Sequence, residues 1–351
     1  SLMIVMIGLR TILSFNIGVL QVVKCSISPG NIADFVIYVN MLTWPVTAVG
    51  WVASIIQQAS ASQKRINEFL KLQPAIENPV TEKDITPLAG KIEFDKVSFT
   101  YPDTGIEAIR NFSLSLASGQ KLAIVGKTGS GKTTVADLLL RMYDVSQGSI
   151  RIDDQDIREH NLASLRQQIG YVPQDVFLFS DTVGKNIAFG KRSADQEEIE
   201  QFARYASVYE DITGLKEGFD TMVGERGVTL SGGQKQRVSI ARALIKKPDI
   251  IILDDCLSAV DTNTEKDILG YFNAFLADKT TIIITHRIYS LLTFDKIIVL
   301  EDGSIVEEGT HQELLDLKGY YFDMYEKQSL EEAVWFSEHM FWFFRQIITF
   351  V

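Results

Sequence analysis

The chain of 351 residues is 46% hydrophobic and carries a formal net charge of -11 at pH 7. Its mean hydropathy of +0.08 is high for a purely soluble protein and indicates a membrane-embedded part. The acidic pI near 5.0 argues against a nucleic-acid binder, which normally concentrates Lys and Arg on a basic face. The two cysteines, Cys25 and Cys256, are too few for a disulfide framework or a structural zinc site, and we interpret both as free thiols.

Two apolar runs near the start of the chain are predicted to be membrane-spanning helices. They read SLMIVMIGLRTILSFNIGVLQVV and IADFVIYVNMLTWPVTAVGWVASII. Each reaches the length of about 20 residues that crosses a bilayer as a helix. The turn-rich KCSISPGN between them predicts an antiparallel hairpin. Neither run has the basic start and cleavage site of a signal peptide, and a buried hairpin in a soluble core is the alternative.

Charges around the two runs predict their orientation. Lys64, Arg65 and Lys71 follow the second run, against one Lys in the turn, so the positive-inside rule puts everything after Gln57 in the cytoplasm.

Two residues inside the runs are unusual for membrane helices. Arg10 is a charge that costs about 2.5 to 3.5 kcal/mol at a helix centre, so it either faces a bundle interior or water, or snorkels to an interface. Pro45 predicts a kink in the second helix.

The second helix is predicted to continue beyond the bilayer as an amphipathic stalk, because apolar residues recur at helical spacing from Ala59. The segment KLQPAIENPVTEKDITPLAG contains three prolines among polar residues and predicts an extended linker. We therefore assign a helix pair with its stalk to residues 1–70 and a linker to residues 71–90.

Beyond Gly90 the sequence alternates between short β-rich runs and helical patterns. The β-rich runs are KIEFDKVSF, KLAIV, GSIRID, DIIIL, TTIIIT and KIIVL. Such alternation is typical of an α/β domain with a largely parallel core sheet.

The run KLAIV leads directly into GKTGSGKTT and then into the helical pattern VADLLLRMY. This is the phosphate-binding P-loop, G-x-x-x-x-G-K-[ST], between a strand and a helix. Its glycines let backbone N–H groups surround phosphate, Lys132 reaches the β and γ phosphates, and Thr133 ligates Mg²⁺. A glycine-rich turn without a ligand is the alternative. The predicted ligand-binding residues of this loop are Gly126, Thr128, Gly129, Ser130, Gly131, Lys132, Thr133 and Thr134.

A second motif, LSGGQKQR at residues 230–237, follows TMVGERG and precedes VSIARALIKK. With this motif the chain resembles the ATP-binding cassette (ABC) family, and specifically exporters whose membrane helices and nucleotide domain share one polypeptide. The resemblance extends to about residue 328. It implies an ABC-type α/β P-loop NTPase domain over residues 91–328, preceded by an all-α membrane hairpin that matches the last two helices of an exporter. It also implies ATP and Mg²⁺ as ligands.

The resemblance assigns roles to residues outside the P-loop. Tyr101 matches the aromatic residue that stacks on adenine, and Gln174 matches the glutamine that touches Mg²⁺ and relays the nucleotide state. His286 matches the histidine that contacts the γ-phosphate. Phe177 and Phe179 are expected to pack against the cytoplasmic ends of membrane helices.

The signature motif implies a second subunit. In the family two nucleotide domains close head to tail, so that Ser231, Gly232, Gly233 and Gln234 would complete the ATP site of the partner. Asp261, in LSAVD, matches the loop through which the two sites sense each other. Closing and reopening would drive alternating access across the bilayer.

The stretch IIILDD departs from the family pattern at the position of the catalytic acid. Asp254 matches the acid that holds Mg²⁺ through water, and Asp255 stands where the family normally carries the glutamate that polarises the attacking water. Because Asp is shorter by about 1.5 Å, we expect ATP binding with slow hydrolysis at this site. A heterodimer whose partner supplies the glutamate is favoured, and a homodimer with two slow sites is the alternative.

The ends of the chain also depart from the family pattern. Exporter half-transporters have six membrane helices and this sequence shows two, so we expect a C-terminal part of a longer exporter. A truncated ATPase with a regulatory role is the alternative. Residues 329–351 form an apolar tail of unknown role, which suits an interfacial helix, a packing arm or non-native sequence.

The sequence thus predicts an ATP-driven exporter half in a multi-pass membrane protein, with its nucleotide domain in the cytoplasm and, by resemblance, in a bacterial inner membrane. A soluble cassette ATPase needs no bilayer-length hairpin, an importer ATPase is a separate polypeptide, and a P-loop kinase needs no LSGGQ. The transported substrate, whether lipid, hydrophobic drug or peptide, stays open.

Overall fold

The computed structural model divides the chain into two units, residues 1–74 and residues 75–351. The residues that it describes are 2–24, 26–78, 87–224, 230–258, 260, 264, 267–268, 270–271, 275–286 and 294–330. Cys25, Asp261 and residues 331–351 of the predicted tail lie outside these ranges. Cys256 is buried.

The first unit is the predicted hairpin, with α1 at Leu2–Val23 and α2 at Pro29–Leu70. Pro29 opens α2, where its missing N–H costs nothing, and Pro45 lies inside α2 without ending it. α2 is long and apolar enough to cross a membrane, whereas the described apolar part of α1, Gly8–Val23, is shorter. None of the residues of α2 is buried in the described structure, so the helix presents an uncovered apolar surface.

Arg10 lies against α2. Its Nη2 donates to Thr43 Oγ1 at 2.9 Å and to Asn40 Oδ1 at 3.4 Å. Its Nε is buried and has no hydrogen-bond partner in the described part of the chain. The guanidinium is therefore turned toward the neighbouring helix.

The second unit contains two β-sheets. Their strands are β1 (Ile92–Thr100), β2 (Glu107–Leu116), β3 (Lys121–Gly126), β4 (Gln147–Ile152), β5 (Gln155–Asp156), β6 (Ile169–Val172), β7 (Ile250–Asp254), β8 (Thr280–Ile284), β9 (Lys296–Glu301) and β10 (Ser304–Gly309). One sheet is antiparallel with the order β2-β1-β4-β5. The other has the order β10-β9-β3-β8-β7-β6 and is parallel except for its edge strand β10, as the sequence predicts.

Helices surround these sheets. They are α3 (Lys132–Leu139), α4 (Leu162–Gln168), α5 (Val183–Ala188), α6 (Gln196–Tyr205), α7 (Tyr209–Thr213), α8 (Gly232–Leu244) and α9 (His311–Leu317), and residues 320–330 are also helical. Side-chain caps start several of them. Thr310, for example, begins α9 with a capping box to Glu313.

The core lies on both faces of the parallel sheet. Along β3, Leu122 and Ile124 join the cluster that contains β1 and α3, while Ala123 and Val125 join the cluster that contains α8. This alternation follows from the period of two in a strand. A sheet that is covered on both faces needs continuous apolar strands, as in Ile250–Asp254.

The predicted linker is partly packed onto the second unit. Leu88 is 8% exposed, and its N–H donates to Gln168 Oε1 at 2.8 Å. Ala89 N–H and Lys91 N–H donate to the Asp153 carboxylate at 2.8 and 2.9 Å. The end of this segment is therefore fixed to the α/β domain.

Candidate functional site

The P-loop joins β3 to α3 at the carboxyl end of the parallel sheet. Gly131 has φ +99°, and a Cβ there would lie 2.4 Å from Ala108 O. A Cβ on Gly126 would lie 2.2 Å from Leu300 O. Both positions require glycine, because side chains disfavour this backbone and the neighbouring chain leaves no room.

Lys132 opens α3 and is buried beneath the loop. Its Nζ donates to Gly126 O at 2.9 Å and to Lys127 O at 2.7 Å. Burial lowers the pKa of this amine, while the charges of Asp254 and Asp255 act in the opposite direction. The ammonium group is thus held at the phosphate loop next to two carboxylates.

Asp254 ends β7 with 1% of its surface exposed. It accepts a hydrogen bond from Thr133, and its Oδ2 is buried with no partner in the described part of the chain. Burial raises the pKa of this carboxyl, and the Thr133 bond counteracts that rise. An unpartnered carboxylate oxygen beside a hydroxyl is the kind of hard donor set that Mg²⁺ takes, so these residues fit the implied cation.

Gln174 and Asp255 meet at the edge of the same site. Gln174 Nε2 donates to Asp255 Oδ2 at 3.4 Å. The backbone N–H of Asp255 donates to Ile284 O at 2.8 Å and fixes the acid to the end of β8. Across the described ranges, no group of three His, Cys, Asp or Glu side chains has metal-binding geometry, so Mg²⁺ would depend on this mixed set of Thr, Gln and Asp.

His286 follows β8 and is half-buried. Burial lowers the pKa of its imidazole, the Lys132 charge adds to this effect, and the Asp255 charge opposes it. The lowered pKa favours the neutral ring, which can donate a hydrogen bond from one nitrogen at neutral pH.

Tyr101 lies in an aromatic cluster near the start of α3. Its ring meets Phe99 and Tyr143 edge to face, with centroids 4.9 and 5.4 Å away. Its hydroxyl hydrogen-bonds Thr134 Oγ1 at 2.9 Å. The ring is therefore held in place beside the start of α3, where a face can receive a flat ligand.

These groups line one cleft of about 460 Å³. The predicted residues that it brings together are Tyr101, Thr128, Gly129, Gly131, Lys132, Thr133, Thr134, Gln174, Asp254, Asp255 and His286. Gly126 and Ser130 belong to the same loop without lining the cleft.

Comparisons with known proteins agree with this geometry. The family profile described as ABC transporter matches residues 109–258. The chain is 42% identical to the probable multidrug resistance ABC transporter ATP-binding/permease protein YheI of Bacillus subtilis, over 93% of this chain and 56% of that protein. It is 40% identical to the ATP-dependent lipid A-core flippase of Syntrophus aciditrophicus, over 93% of this chain and 54% of that one.

A solved structure of a bacterial Atm1-family ABC exporter with ATP bound superimposes with a TM-score of 0.74 at 38% identity. The superposition covers 86% of this chain and 53% of the exporter chain. This chain belongs to the ABC transporter family. The family resemblance and the fold class predicted from the sequence are confirmed, and the chain spans about half the length of the relatives that it matches.

The ABC signature motif lies outside the cleft. Ser231 caps α8 through a reciprocal pair with Gln234, in which each side chain accepts the backbone N–H of the other. Gln234 Nε2 also donates to Asp211 Oδ1 at 2.9 Å. Gly232 and Gly233 form the first turn of α8, and none of these signature residues lines the cleft.

The aromatic residues expected to meet the membrane helices are exposed. Phe177 and Phe179 meet edge to face at 5.2 Å, and Phe189 lies 4.5 Å from Phe179. Phe177 is 66% exposed. Their contact with helix ends stays a prediction.

The cleft also contains residues that the sequence reasoning missed. They are Ile106, Glu107, Ala108, Arg110, Ile284, Asp302 and Gly303. The Asp-Gly pair of the β9–β10 turn was the one available signal, because such a pair marks a tight hairpin. Nothing in the sequence placed that hairpin beside the P-loop.

Asp137 is a further missed group next to the site. It lies on α3, and burial with the nearby Asp254 charge raises its pKa from the ordinary 3.8 to about 6. It is therefore largely protonated in mildly acidic solution, unlike a surface Asp.

Proposed function

We propose that this chain is the ATP-binding and ATP-hydrolysing half of an ABC exporter, which couples nucleotide-driven dimerisation to export across a membrane. The observation that carries the proposal is the single cleft in which Lys132, the buried Asp254 and His286 converge beside the Tyr101 ring. The relatives support it, since the names of two of them include multidrug resistance and lipid A-core flippase.

Different residues of the cleft bind different parts of the nucleotide. The Tyr101 ring stacks on adenine, and the amides of the P-loop with the N-terminus of α3 hold the phosphates. Lys132 exchanges its two backbone acceptors, Gly126 O and Lys127 O, for phosphate oxygens. Thr133, Gln174 and Asp254 would hold Mg²⁺, which neutralises phosphate charge when bound.

Hydrolysis at this site is slow. Asp255 must polarise the attacking water, and its carboxylate is one bond shorter than that of a glutamate, about 1.5 Å. Gln174 aligns that carboxylate through its amide, and neutral His286 donates to the γ-phosphate. A misplaced base loses part of the roughly 10²- to 10⁴-fold rate enhancement that general-base catalysis supplies.

The assembly is a dimer of half-transporters in a lipid bilayer. The signature at the start of α8 completes the ATP site of a second half-transporter, with Asp261 relaying between the two sites. A heterodimer is favoured over a homodimer, because an intact signature accompanies a weakened base. The helix pair of residues 1–70 lies in the membrane, the linker covers residues 71–90, the nucleotide domain of residues 91–328 is cytoplasmic, and the substrate is hydrophobic or amphipathic.

A direct binding experiment tests the proposed function. Titration of the purified chain with a fluorescent ATP analogue and Mg²⁺ should show saturable binding, and Lys132→Ala should weaken it more than about tenfold, since a buried charge-assisted contact is worth about 1.5–3 kcal/mol. Lys327→Ala is the matched control, because Lys327 is exposed. Equal affinity of wild type and Lys132→Ala would contradict the proposal.

A further inference from the structure

The C-terminal segment, defined here as residues 296–330, contacts the P-loop through the β9–β10 turn. Gly303 N–H donates to Ser130 O at 3.1 Å, and Gly303 O accepts from Arg110 N–H at 2.9 Å. Gly303 has φ +82°, and a Cβ there would lie 2.7 Å from Ala108 O. The turn is thus fixed between the P-loop and β2.

Lys127 is a second contact between the P-loop and the C-terminal segment. Its Nζ pairs with Glu301 Oε1 at 2.7 Å and lies 5.4 Å from the centre of the Tyr320 ring. The backbone oxygen of the same Lys127 accepts a hydrogen bond from Lys132 Nζ at 2.7 Å. The lysine that is proposed to reach the phosphates therefore rests on a residue whose own side chain is held by the C-terminal segment.

Gln328 makes a third contact, next to the cleft residue His286. Its Nε2 donates to the backbone oxygen of His286. That oxygen belongs to the residue proposed to contact the γ-phosphate, immediately after β8. The same helix, residues 320–330, therefore contacts the P-loop at its start and His286 near its end.

Hydrogen bonds fix the start of this helix to β10 and α9. The Glu307 carboxylate accepts N–H bonds from Tyr320 at 2.5 Å and from Tyr321 at 3.1 Å. Tyr321 is fully buried, and its hydroxyl hydrogen-bonds His311 Nδ1 at 2.7 Å. Tyr320 and Gln328 make their contacts with Lys127 and with the His286 oxygen through their side chains.

We propose that Tyr320 and Gln328 are positioning residues for the nucleotide: Tyr320 orients the P-loop through Lys127, and Gln328 orients His286. The inference rests on the proposed ATP-binding function. The inference predicts different effects on ATP and ADP. The P-loop contacts phosphates that both nucleotides carry, whereas His286 contacts only the γ-phosphate, which ADP lacks. Gln328 therefore acts on ATP affinity alone, and Tyr320 acts on both affinities.

The test measures the dissociation constants of Mg-ATP and Mg-ADP for the full chain by displacement of a fluorescent nucleotide. Gln328→Ala should weaken ATP about fivefold and leave ADP unchanged, as expected for one lost hydrogen bond of about 1 kcal/mol. Tyr320→Leu should weaken both nucleotides about two- to fivefold, as expected for a cation–π contact of about 0.5–1 kcal/mol.

Three further variants separate positioning from folding. Tyr320→Phe keeps the ring and should behave as wild type. Glu301→Gln weakens the same Lys127 contact at an exposed site, so it should shift both affinities without lowering the melting temperature. Lys327→Ala, on the exposed face of the same helix, should change neither affinity.

The outcomes are distinguishable. The inference would be overturned if Gln328→Ala weakened the affinities for ATP and ADP equally. It would also be overturned if the affinities of Gln328→Ala and Glu301→Gln matched those of Lys327→Ala. Either result would leave ATP binding itself intact. Failure of the wild-type chain to bind either nucleotide would overturn the proposed function, and the inference with it.

Discussion

At the scale of single residues, the nucleotide site is defined by a few buried charges. Lys132 and Asp254 are both nearly inaccessible to solvent and lie near each other, so each limits the cost of burying the other. Asp255 is less buried, and its carboxylate accepts a hydrogen bond from the Gln174 amide, while its backbone bonds Ile284 O and the Ser258 hydroxyl. A short acid held in this way can be lengthened without disturbing the core.

Replacing Asp255 with Glu should therefore raise ATP turnover at this site. We expect an increase of at least about tenfold, since a correctly placed base contributes roughly 10²- to 10⁴-fold. The measurement is the rate of phosphate release by the assembled transporter. Asp255→Asn is the control and should not be faster than wild type, and an unchanged rate in Asp255→Glu would count against a weakened base.

At the scale of secondary-structure elements, the ends of neighbouring parallel strands bring the site residues together. β3, β7 and β8 are adjacent and parallel, so their carboxyl ends bring Gly126, Asp254 and His286 to one edge. This is the edge at which open α/β sheets bind ligands. α3 then starts at Lys132 with its N-terminus toward the same place.

The P-loop backbone should be the most sensitive part of this arrangement. Gly131→Ala combines a left-handed backbone with a contact of 2.4 Å to Ala108 O, so it should lower the melting temperature and weaken ATP binding. Gly105→Ala is the matched control, because Gly105 has φ +71° with nothing within 4 Å of the added Cβ. Its cost should be limited to about 1 kcal/mol of backbone strain. Equal melting temperatures for the two variants would contradict the role of the close contact.

The α3 residue Asp137 should make stability depend on pH. Its folded-state pKa of about 6 lies above the ordinary 3.8, so the native state binds more protons than the unfolded state between these values. The free energy of unfolding contributed by this group therefore falls as the pH rises through that window. Asp137→Asn should lack this fall, which urea denaturation of both proteins at about pH 4 and about pH 7 measures.

Asp323→Asn, at an exposed position of the helix at residues 320–330, is the control for this comparison. It should retain the pH dependence of wild type. An identical dependence in wild type and Asp137→Asn would mean that Asp137 does not titrate as its burial implies.

At the scale of the whole molecule, two features support the proposed assembly. None of the described residues of α2 is buried, and the signature at the start of α8 does not line the cleft of its own domain. Under the proposed function, a bilayer or neighbouring helices would cover α2, and a second nucleotide domain would cover the signature.

The proposed action of the signature on the ATP site of a partner subunit can be tested by mutation. Ser231→Arg should block closure on the partner and lower ATPase activity of the assembled transporter by at least about tenfold, because it removes the helix cap and fills with a long side chain the space in which the helix N-terminus has to receive phosphate. Nucleotide affinity of the isolated chain should stay unchanged, since Ser231 does not line its cleft. Loss of that affinity would show instead that the signature serves its own site.

The sequence by itself determined the local features: the P-loop, the buried strand that ends at Asp254, and the Tyr101, Gln174 and His286 positions. It could do so because each depends on a short run of residues whose spacing carries the chemistry. The strands β2, β5, β6 and β10 were not predicted, since their apolar pattern is short or irregular.

Only the tertiary structure decided which distant segments meet. Lys127 and Glu301 are 174 residues apart in sequence, yet the pairing of β9 with β3 puts them in contact and makes the β9–β10 turn part of the cleft. The Tyr320 and Gln328 contacts, and the turn of Arg10 toward α2, have the same origin. The order of strands in the sheet comes from the packing of the whole domain, and no local pattern of residues encodes it.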